Sequence, residues 1–324
     1  MNHNPVVFFY EAFEEEESFI RQFLTPRISA GFTWKTIQEY NAPTPPAPVI
    51  SIRTQSVIPP EWASNMEGLL TRSTGYDHVK KYLAQTGAKM ACGYLPLYCA
   101  RAVAEQAMLM WMALLRKLSQ QTGQFKTFHR DGITGFECEG KHLLVVGVGH
   151  IGEQVIRIGK GLGMKTAGVD ISHKHQDVTY LSLDEGMAHA DIVVCAMNLT
   201  ADNRNYFHRE TLLKMKKGSL FINIARGELS PLRDLLQALD EGHLGGIGLD
   251  VYNNESELAV SLRSGQPSSD PEVTAALELM NRPQVILTPH NAFNTVESVE
   301  RKARQSVEQM EHYLVHHQFK WLVP

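Results

Sequence analysis

The sequence predicts an α/β protein with two domains, each a doubly wound parallel β-sheet covered by helices on both faces. Three observations support this prediction. The chain has 324 residues, of which 43% are hydrophobic, and this is enough for two domains with separate cores. Short apolar strands alternate with helical segments along most of its length. A glycine-rich turn, Gly147-Val148-Gly149-His150-Ile151-Gly152, joins one such strand to a helix.

The first hundred residues are predicted to form a small α/β unit. Its strands are expected over residues 6–10, 49–53, 68–72 and 89–92, and its helices over 14–24, after Pro59-Pro60 and over 78–85. A helix over 102–118 carries the chain to a second unit, with strands over 143–146, 166–170, 192–196, 219–224, 246–249 and 285–287. A charged amphipathic helix is expected over 295–316, and the polar segment 253–270 is expected to be a surface loop.

Composition argues against several classes of function. A formal net charge of -4 gives the chain no general attraction to nucleic acid or anionic lipid. The four cysteines form no C-x-x-C pair, so we expect no metal site, and their scattered positions favour a reducing, cytoplasmic location. The apolar run 6–10 lacks the basic start of a signal peptide. No stretch reaches the roughly 18 apolar residues of a membrane span.

The glycine-rich turn has the G-x-G-x-x-G spacing of a dinucleotide-binding site. Gly147 would permit the tight turn, Gly149 would let the backbone approach a pyrophosphate, and Gly152 would let the helix pack on the strand. The pyrophosphate would then contact the N–H groups of the helix N-terminus, around His150 and Ile151.

Asp170 ends the next strand, 18 residues after Gly152. A carboxylate at this position accepts hydrogen bonds from the adenosine ribose and repels a 2′-phosphate, so NAD is favoured over NADP. A helix N-cap is the other interpretation of Asp170. The basic residues His173, Lys174 and His175 just beyond it would weaken the preference for NAD.

Polar residues follow three further strands, at the edge where α/β sheets bind ligands. Arg226 ends one strand and would hold a carboxylate, since its guanidinium forms two parallel hydrogen bonds. Asp250 closes the next strand with Glu255 five residues later, and His290 follows the last. Taken alone, Arg226, Glu255 or His290 could have a purely structural role. Together, beside a nucleotide-binding turn, they predict hydride transfer, with His290 exchanging the proton and Glu255 holding its tautomer.

These segments resemble the D-isomer-specific 2-hydroxyacid dehydrogenase family. The resemblance runs in family order from about residue 70 to 295. It is carried by Thr71-Arg72-Ser73-Thr74-Gly75-Tyr76-Asp77-His78, Ala102-Val103-Ala104-Glu105-Gln106, the glycine-rich turn, Asn223-Ile224-Ala225-Arg226-Gly227, Gly248-Leu249-Asp250-Val251 and Thr288-Pro289-His290.

The resemblance implies a role for each of these residues. Arg226 would bind the carboxylate and carbonyl oxygen of the substrate, and His290 with Glu255 would be the acid/base pair. Asp250 would contact the nicotinamide carboxamide. The remaining assignments are a substrate cradle of Ser73, Thr74 and Gly75, and cofactor contacts at Asn198, Thr200 and Ala225.

The family fold places a Rossmann-type NAD-binding domain, here 101–292, inside a flavodoxin-like substrate domain made of 1–100 and 293–324. It also implies a homodimer joined through the cofactor domain, with the helix over 102–118 as the expected contact. The partners would be a small 2-keto or 2-hydroxy acid and NAD, with no nucleic acid and no membrane.

Within the family, the D-lactate dehydrogenase branch is the most similar. Tyr98 and Phe293 match aromatic residues that line its pocket, which suits a small side chain such as that of pyruvate. The alternative is that both only pack. The chain departs from the pattern where Cys99-Ala100 replaces Ser-Pro, Gln106 replaces histidine and Asn198 replaces proline.

Other activities remain open. One is a hydroxypyruvate/glyoxylate reductase or a 3-phosphoglycerate dehydrogenase, although no basic cluster for a phosphate lies near the pocket segments. Glu255 argues against a formate dehydrogenase, which pairs its histidine with glutamine. Phosphite oxidation uses a similar triad. A different class is a non-catalytic NAD sensor, like the C-terminal-binding-protein corepressors that resemble this family.

Overall fold

The computed structural model describes residues 5–324, which separate into two compact units. What we call the terminal unit comprises the chain up to Cys99 together with Asn294–Pro324. The central unit comprises Ala100–Phe293. Each unit is built on one parallel sheet, as the alternation of strands and helices in the sequence predicts.

The terminal unit contains a five-stranded sheet. Its elements are β1 (Val7–Phe9), α1 (Glu14–Phe23), β2 (Ala30–Phe32), α2 (Ile37–Tyr40), β3 (Val49–Ile52), a 3-10 helix (Pro60–Ser64), β4 (Gly68–Thr71), α3 (Asp77–Thr86), β5 (Ala91–Gly93) and, from the C-terminal segment, α12 (Val296–His316). The strand order is β2-β1-β3-β4-β5, and all neighbours are parallel. The order reverses between β1 and β3, which makes this the topological switch point of the sheet.

The central unit contains a six-stranded sheet. Its elements are α4 (Ala100–Leu115), α5 (Leu118–Gln124), a 3-10 helix (Phe125–Thr127), β6 (His142–Val146), α6 (His150–Gly161), β7 (Lys165–Val169), α7 (Leu183–His189), β8 (Ile192–Cys195), α8 (Arg209–Leu212), β9 (Ser219–Asn223), a 3-10 helix (Gly227–Leu229), α9 (Leu232–Asp240), β10 (Leu244–Leu249), α10 (Glu255–Ser264), α11 (Pro271–Leu279) and β11 (Val285–Leu287). The order is β11-β10-β9-β8-β6-β7, all parallel, with its switch point between β6 and β8.

Helices cover the faces of both sheets, so the central strands are buried along most of their length. All residues of β3 and of β8 are buried, for example. In the terminal unit α1 and α12 pack against each other, and in the central unit α4 packs on α6, β9 and β10. The side chains that project from the carboxyl ends of the strands are therefore held by a rigid support.

The expectation of a surface loop over 253–270 is wrong, because α10 occupies most of that segment. The helix is polar and buries only Leu258 and Ser261, so it produces little hydrophobic periodicity in the sequence. Asp270 then caps α11 by accepting hydrogen bonds from the backbone N–H groups of Glu272 and Val273. The three-residue strand β2 was not predicted from the sequence either, and its residues are only half-buried.

Within residues 5–324, no helix combines the length and the apolar character needed to span a membrane. The same residues bring together no group of three His, Cys, Asp or Glu side chains suited to a metal ion. The four cysteines, Cys92, Cys99, Cys138 and Cys195, are all unpaired.

Candidate active site

The glycine-rich turn lies at the carboxyl edge of the central sheet, between β6 and α6. Gly147 has a φ of +94°, and a Cβ atom there would lie 2.5 Å from the backbone of Met197 in the loop after β8. A Cβ atom on Gly152 would lie 2.0 Å from the carbonyl oxygen of Gly147. Both positions therefore require glycine, one for its backbone conformation and both for close approach of the chain.

The N-terminus of α6 is open to a ligand. Its N-cap residue is Gly149, so no side chain caps the first N–H groups of the helix. A Cβ atom at Gly149 would meet nothing within 4 Å. His150 is exposed and Ile151 is half-buried at the first two helical positions. This edge thus offers unpaired N–H donors and space for a pyrophosphate, which fits the dinucleotide expected from the sequence.

Asp170 is attached to the glycine-rich turn. One carboxylate oxygen accepts a hydrogen bond from the backbone N–H of Val148 at 2.7 Å, and the other accepts from Ser172 at 2.8 Å. Asp170 is not the N-cap of a helix in the structure. Since each carboxylate oxygen has a second lone pair, the side chain can hold the turn and still accept hydrogen bonds from a ribose.

The loop after β8 carries Asn198 and Thr200, both exposed. Asn203 closes this loop, because its side-chain oxygen accepts from the N–H of Thr200 at 2.7 Å and its side-chain nitrogen donates to the carbonyl of Asn198 at 2.8 Å. The loop therefore has a defined shape without the proline that Asn198 replaces.

Asn223 shapes the turn that carries Arg226. The side-chain oxygen of Asn223 accepts from the N–H of Ala225 at 2.9 Å, and its nitrogen donates to the Arg226 carbonyl at 2.9 Å and to the Ser230 hydroxyl at 2.8 Å. Asn223 is completely buried at the end of β9. Its position, one polar side chain at the end of an apolar strand, is the sequence signal by which it could have been found. It positions Arg226 at the carboxyl edge.

Asp250 holds the turn after β11. The side chain is 1% exposed, and its two oxygens accept from the Thr288 hydroxyl at 2.5 Å and from the N–H groups of Asn291 and Ala292 at 2.9 and 2.8 Å. Burial raises the pKa of Asp250, and these hydrogen bonds oppose the rise. The structure thus gives Asp250 a positioning role toward the turn that contains His290.

Two further residues brace the same turn, and neither was selected from the sequence as a site residue. The hydroxyl of Tyr252 donates to the Thr288 carbonyl at 2.7 Å. The side-chain nitrogen of Gln106 lies 3.4 Å from the Thr288 hydroxyl. Gln106 stands where the family pattern has histidine, so its contact reaches the same turn from α4.

His290 and Glu255 form a pair within the central unit. Nδ1 of His290 lies 3.0 Å from both carboxylate oxygens of Glu255. The side chains are 26% and 30% exposed, so the pair is partly screened from water. His290 has a φ of +52°, an uncommon backbone conformation for a side-chain-bearing residue and one that clusters at functional sites. With Nδ1 facing the carboxylate, Nε2 is the atom left for proton exchange.

The predicted substrate cradle lies at the carboxyl end of β4 in the terminal unit. The Ser73 hydroxyl donates to the Gly75 carbonyl at 2.6 Å and lies 2.7 Å from the Thr71 hydroxyl. The Thr74 hydroxyl donates to the Leu95 carbonyl at 3.3 Å. These contacts fix the shape of the turn.

Tyr98 is the aromatic residue of the terminal unit that the sequence places in the pocket. It is only 5% exposed, and its carbonyl accepts a hydrogen bond from Nε of Arg301 at 2.9 Å. Burial raises the pKa of Tyr98 far above its usual value. Phe293, the other predicted pocket residue, is 8% exposed in the central unit.

Comparison with known proteins identifies a family. Residues 107–292 match the model of the D-isomer specific 2-hydroxyacid dehydrogenase, NAD binding domain. A D-lactate dehydrogenase of Streptococcus agalactiae serotype V is 32% identical over 235 residues, which cover 70% of this chain and 70% of that protein.

Two solved structures are similar along nearly the whole chain. A D-lactate dehydrogenase from Aquifex aeolicus, crystallised with NAD and lactic acid, has a TM-score of 0.83 and 26% identity and covers 95% of each chain. A pyruvate reductase of Chlamydomonas reinhardtii has a TM-score of 0.78 and 27% identity, with 95% of this chain and 96% of that chain covered.

The family model and the NAD bound in the Aquifex structure identify the cofactor as NAD, and the open helix terminus after β6 fits it. The chain belongs to the D-isomer-specific 2-hydroxyacid dehydrogenase family.

Proposed function

We propose that this NAD-dependent dehydrogenase reduces a small 2-keto acid, of which pyruvate is the simplest, to the corresponding D-2-hydroxy acid. The observation that carries the proposal is the pair of His290 and Glu255, whose Nδ1 and carboxylate oxygens lie 3.0 Å apart at the carboxyl edge of the central sheet. A dinucleotide site alone implies binding. A histidine held by a carboxylate beside that site adds the proton exchange that carbonyl reduction needs.

In the proposed mechanism, bound NADH supplies a hydride to the keto carbon. Arg226 binds the substrate carboxylate and polarises the keto oxygen, because a guanidinium matches both acceptors and stays protonated at any working pH. His290 gives a proton from Nε2 to the keto oxygen as the negative charge develops there. Glu255 fixes the tautomer at Nδ1 and stabilises the positive ring that precedes proton transfer.

Other residues would bind and orient the two ligands. Asp170 would accept hydrogen bonds from the adenosine ribose while it holds Val148. We assign further cofactor contacts to Gly147, Gly149, His150, Ile151, Gly152, Asn198, Thr200, Ala225 and Asp250. We assign the substrate carboxylate to the backbone of Ser73, Thr74 and Gly75, and the substrate side chain to Tyr98 and Phe293. The lactic acid in the Aquifex structure and the name of the Chlamydomonas pyruvate reductase support a small substrate.

A homodimer through the central unit is part of the proposal. Most of the apolar residues of helix α4 are buried within the single chain, but Leu109 is exposed, and further apolar side chains are exposed in the segment that follows. Phe125, Phe128 and Phe136 are 75%, 74% and 63% exposed, and a cavity of about 370 Å³ lies beside Phe136. A second copy would cover these rings.

A cytoplasmic location is likewise proposed, on the ground that the four cysteines are unpaired.

The test is turnover of NADH with a panel of 2-keto acids, read as loss of absorbance of the reduced nicotinamide. We expect reduction of at least one member and a D-configured product. NADH binding without oxidation by any member of the panel would refute the proposed function and favour a sensor of NAD.

Size-exclusion chromatography with light scattering tests the dimer. We expect the parent protein to be a dimer and the double variant Phe125→Ser/Phe128→Ser to be a monomer.

A further inference from the structure

A buried ionic cluster occupies the carboxyl edge of the terminal sheet, beside Tyr98. One carboxylate oxygen of Glu16 lies 2.8 Å from Nε of Arg72 and 2.9 Å from Nζ of Lys302, and all three side chains are fully buried. Nζ of Lys302 lies 5.1 Å from the centre of the Phe13 ring and 5.9 Å from that of Tyr98. The cluster therefore borders the side chain that the proposed function places in the substrate pocket.

Arg53 adds a third cation to this cluster. Its guanidinium lies 4.7 Å from the centre of the Phe13 ring, so Arg53 and Lys302 share one aromatic neighbour. Arg53 is half-buried, whereas Arg72 and Lys302 are closed off from solvent. Of the three cations, Arg53 is thus the one with part of its surface accessible to a ligand.

Three cations act on one carboxylate in this cluster, because Arg53, Arg72 and Lys302 all lower the pKa of Glu16. A second carboxylate, Glu11, accepts hydrogen bonds from three backbone N–H groups in the segment 53–56. The three cations thus outnumber these two carboxylates. Burial lowers the pKa of Lys302 to about 7, Glu16 opposes this, and Arg53 and Arg72 add to it. An additional negative charge near Arg53 would therefore be stabilised.

Arg53 also has the position of a ligand-binding residue in the fold. It directly follows β3, and β1 and β3 flank the switch point of the terminal sheet, where doubly wound sheets bind ligands. The substrate cradle, Ser73 to Gly75, follows the adjacent strand β4, whose Thr71 is in register with Ile52. Neighbouring strands lie about 4.8 Å apart, so the two strand ends are separated by the length of a small substrate.

We infer that the substrate is a 2-keto acid whose side chain ends in a second anionic group, which Arg53 binds beside Tyr98. This inference rests on the proposed function, since it concerns the same substrate. In the sequence, no basic cluster lies near the pocket segments. Folding assembles one from residues 53, 72 and 302, which are far apart in the chain.

The chemistry shared by the candidates is a short chain with a 2-keto carboxylate at one end and an anion at the other. Oxaloacetate carries a second carboxylate, and 3-phosphohydroxypyruvate carries a phosphate. Pyruvate, whose side chain is a methyl group, is the matched compound with a neutral side chain. We expect kcat/KM to be higher for one of the two anionic acids than for pyruvate, and the favoured one identifies the group.

The test is the ratio of kcat/KM for each anionic acid to that for pyruvate, in the parent protein and in Arg53→Leu. Removal of a hydrogen-bonded charge is expected to lower this ratio roughly 10- to 100-fold while pyruvate reduction is retained. Arg53→Lys should recover part of the preference, since it keeps the charge. Because oxaloacetate can lose carbon dioxide to give pyruvate, chromatography of the hydroxy acid product must distinguish malate from lactate.

Arg304→Leu is the control variant. Arg304 lies on α12 two residues from Lys302, but its side chain is 55% exposed and paired with Glu300, so the ratio should not change. A ratio that is equal in the parent, Arg53→Leu and Arg304→Leu would overturn the inference and leave the proposed function standing. Failure to reduce any 2-keto acid would instead refute the proposed function. Circular dichroism and pyruvate turnover show whether Arg53→Leu is folded, and Lys302→Met, expected to lower the same ratio, provides a second test.

Discussion

Two glycines of the turn after β6, Gly149 and Gly152, are expected to respond differently when a methyl group is added to each. Gly152→Ala puts Cβ 2.0 Å from the carbonyl oxygen of Gly147, which belongs to the backbone and cannot rotate away. Gly149→Ala puts Cβ in open space, with nothing within 4 Å. Gly161→Ala, in the last turn of the same helix, also meets nothing within 4 Å and is the matched control.

The magnitude for Gly152→Ala follows from that contact. Atoms must separate by about 1 Å, and overpacking of this kind costs roughly 1–3 kcal/mol of unfolding free energy. In a unit of this size, each kcal/mol lowers the melting temperature by roughly 2–4 °C, so we expect a fall of roughly 2–12 °C. Gly149→Ala should leave the melting temperature of the protein without cofactor unchanged. Gly161→Ala should leave it unchanged or raise it slightly, since alanine favours the helix by up to about 1 kcal/mol.

Cofactor affinity separates the variants further. The methyl group of Gly149→Ala occupies the space in front of the first N–H groups of α6. Loss of one hydrogen bond to a charged group, about 1.5 kcal/mol, raises the Kd for NADH roughly tenfold. Gly152→Ala should weaken NADH as well, because its clash moves the turn.

The assays are thermal unfolding without cofactor and calorimetric titration with NADH. The reasoning is refuted if Gly149→Ala binds NADH as tightly as Gly161→Ala does. It is equally refuted if Gly152→Ala melts at the temperature of the parent.

Three further predictions concern the acid/base pair, cofactor choice and acid stability. Asparagine tolerates the left-handed backbone of His290, whose φ is +52°. His290→Asn should therefore keep its affinity for NADH but lower kcat by roughly 10²- to 10⁴-fold. Unchanged turnover would remove His290 from the mechanism. Asp170→Ala should weaken NADH binding, because the N–H of Val148 loses its acceptor. It should also narrow the difference in kcat/KM between NADH and NADPH. Equal kcat/KM values for the two cofactors in the parent protein would contradict the assignment. Burial alone would raise the pKa of Glu16, but Arg72, Lys302 and Arg53 lower it to about 2. The ionised Glu16 therefore stabilises the folded protein above pH 4.5, and this contribution is lost as the pH falls from 4.5 to 2. Urea unfolding across that range should show a loss of about 3 kcal/mol that is absent in Glu16→Gln, and identical acid profiles would show that the ion pairs contribute nothing.

Local patterns in the sequence were sufficient for the sheets and for the nucleotide turn. Strands such as β8 are apolar throughout because helices cover both faces, and that composition is visible without a structure. The spacing of Gly147, Gly149 and Gly152 is likewise a local property, set by one turn and one helix. Helix α10 was missed because it buries only two residues, so its sequence resembles a polar loop.

The candidate site required both kinds of information. His290, Glu255 and Arg226 could be selected because each follows a strand, and the carboxyl ends of parallel strands meet at one edge. Their supports were predicted only in part. Asp250 was selected as a cofactor contact, but its hydrogen bonds to the turn that contains His290 could not be predicted, and Tyr252 was not selected. Only the folded chain brings the oxygen atoms of both side chains within 3 Å of that turn.

Periodicity and short-range spacing encode the parallel-sheet architecture and the dinucleotide turn, so the sequence alone was enough for both. It also allowed His290 and Glu255 to be selected, because both follow strands whose carboxyl ends lie at one edge of the sheet. The tertiary structure alone decided which charges meet. Glu16, Arg53, Arg72 and Lys302 come from four distant segments, and their pairing depends on how α1 and α12 pack at the edge of the terminal sheet. A pairwise electrostatic contact depends on distance in space, and distance along the chain gives no measure of it.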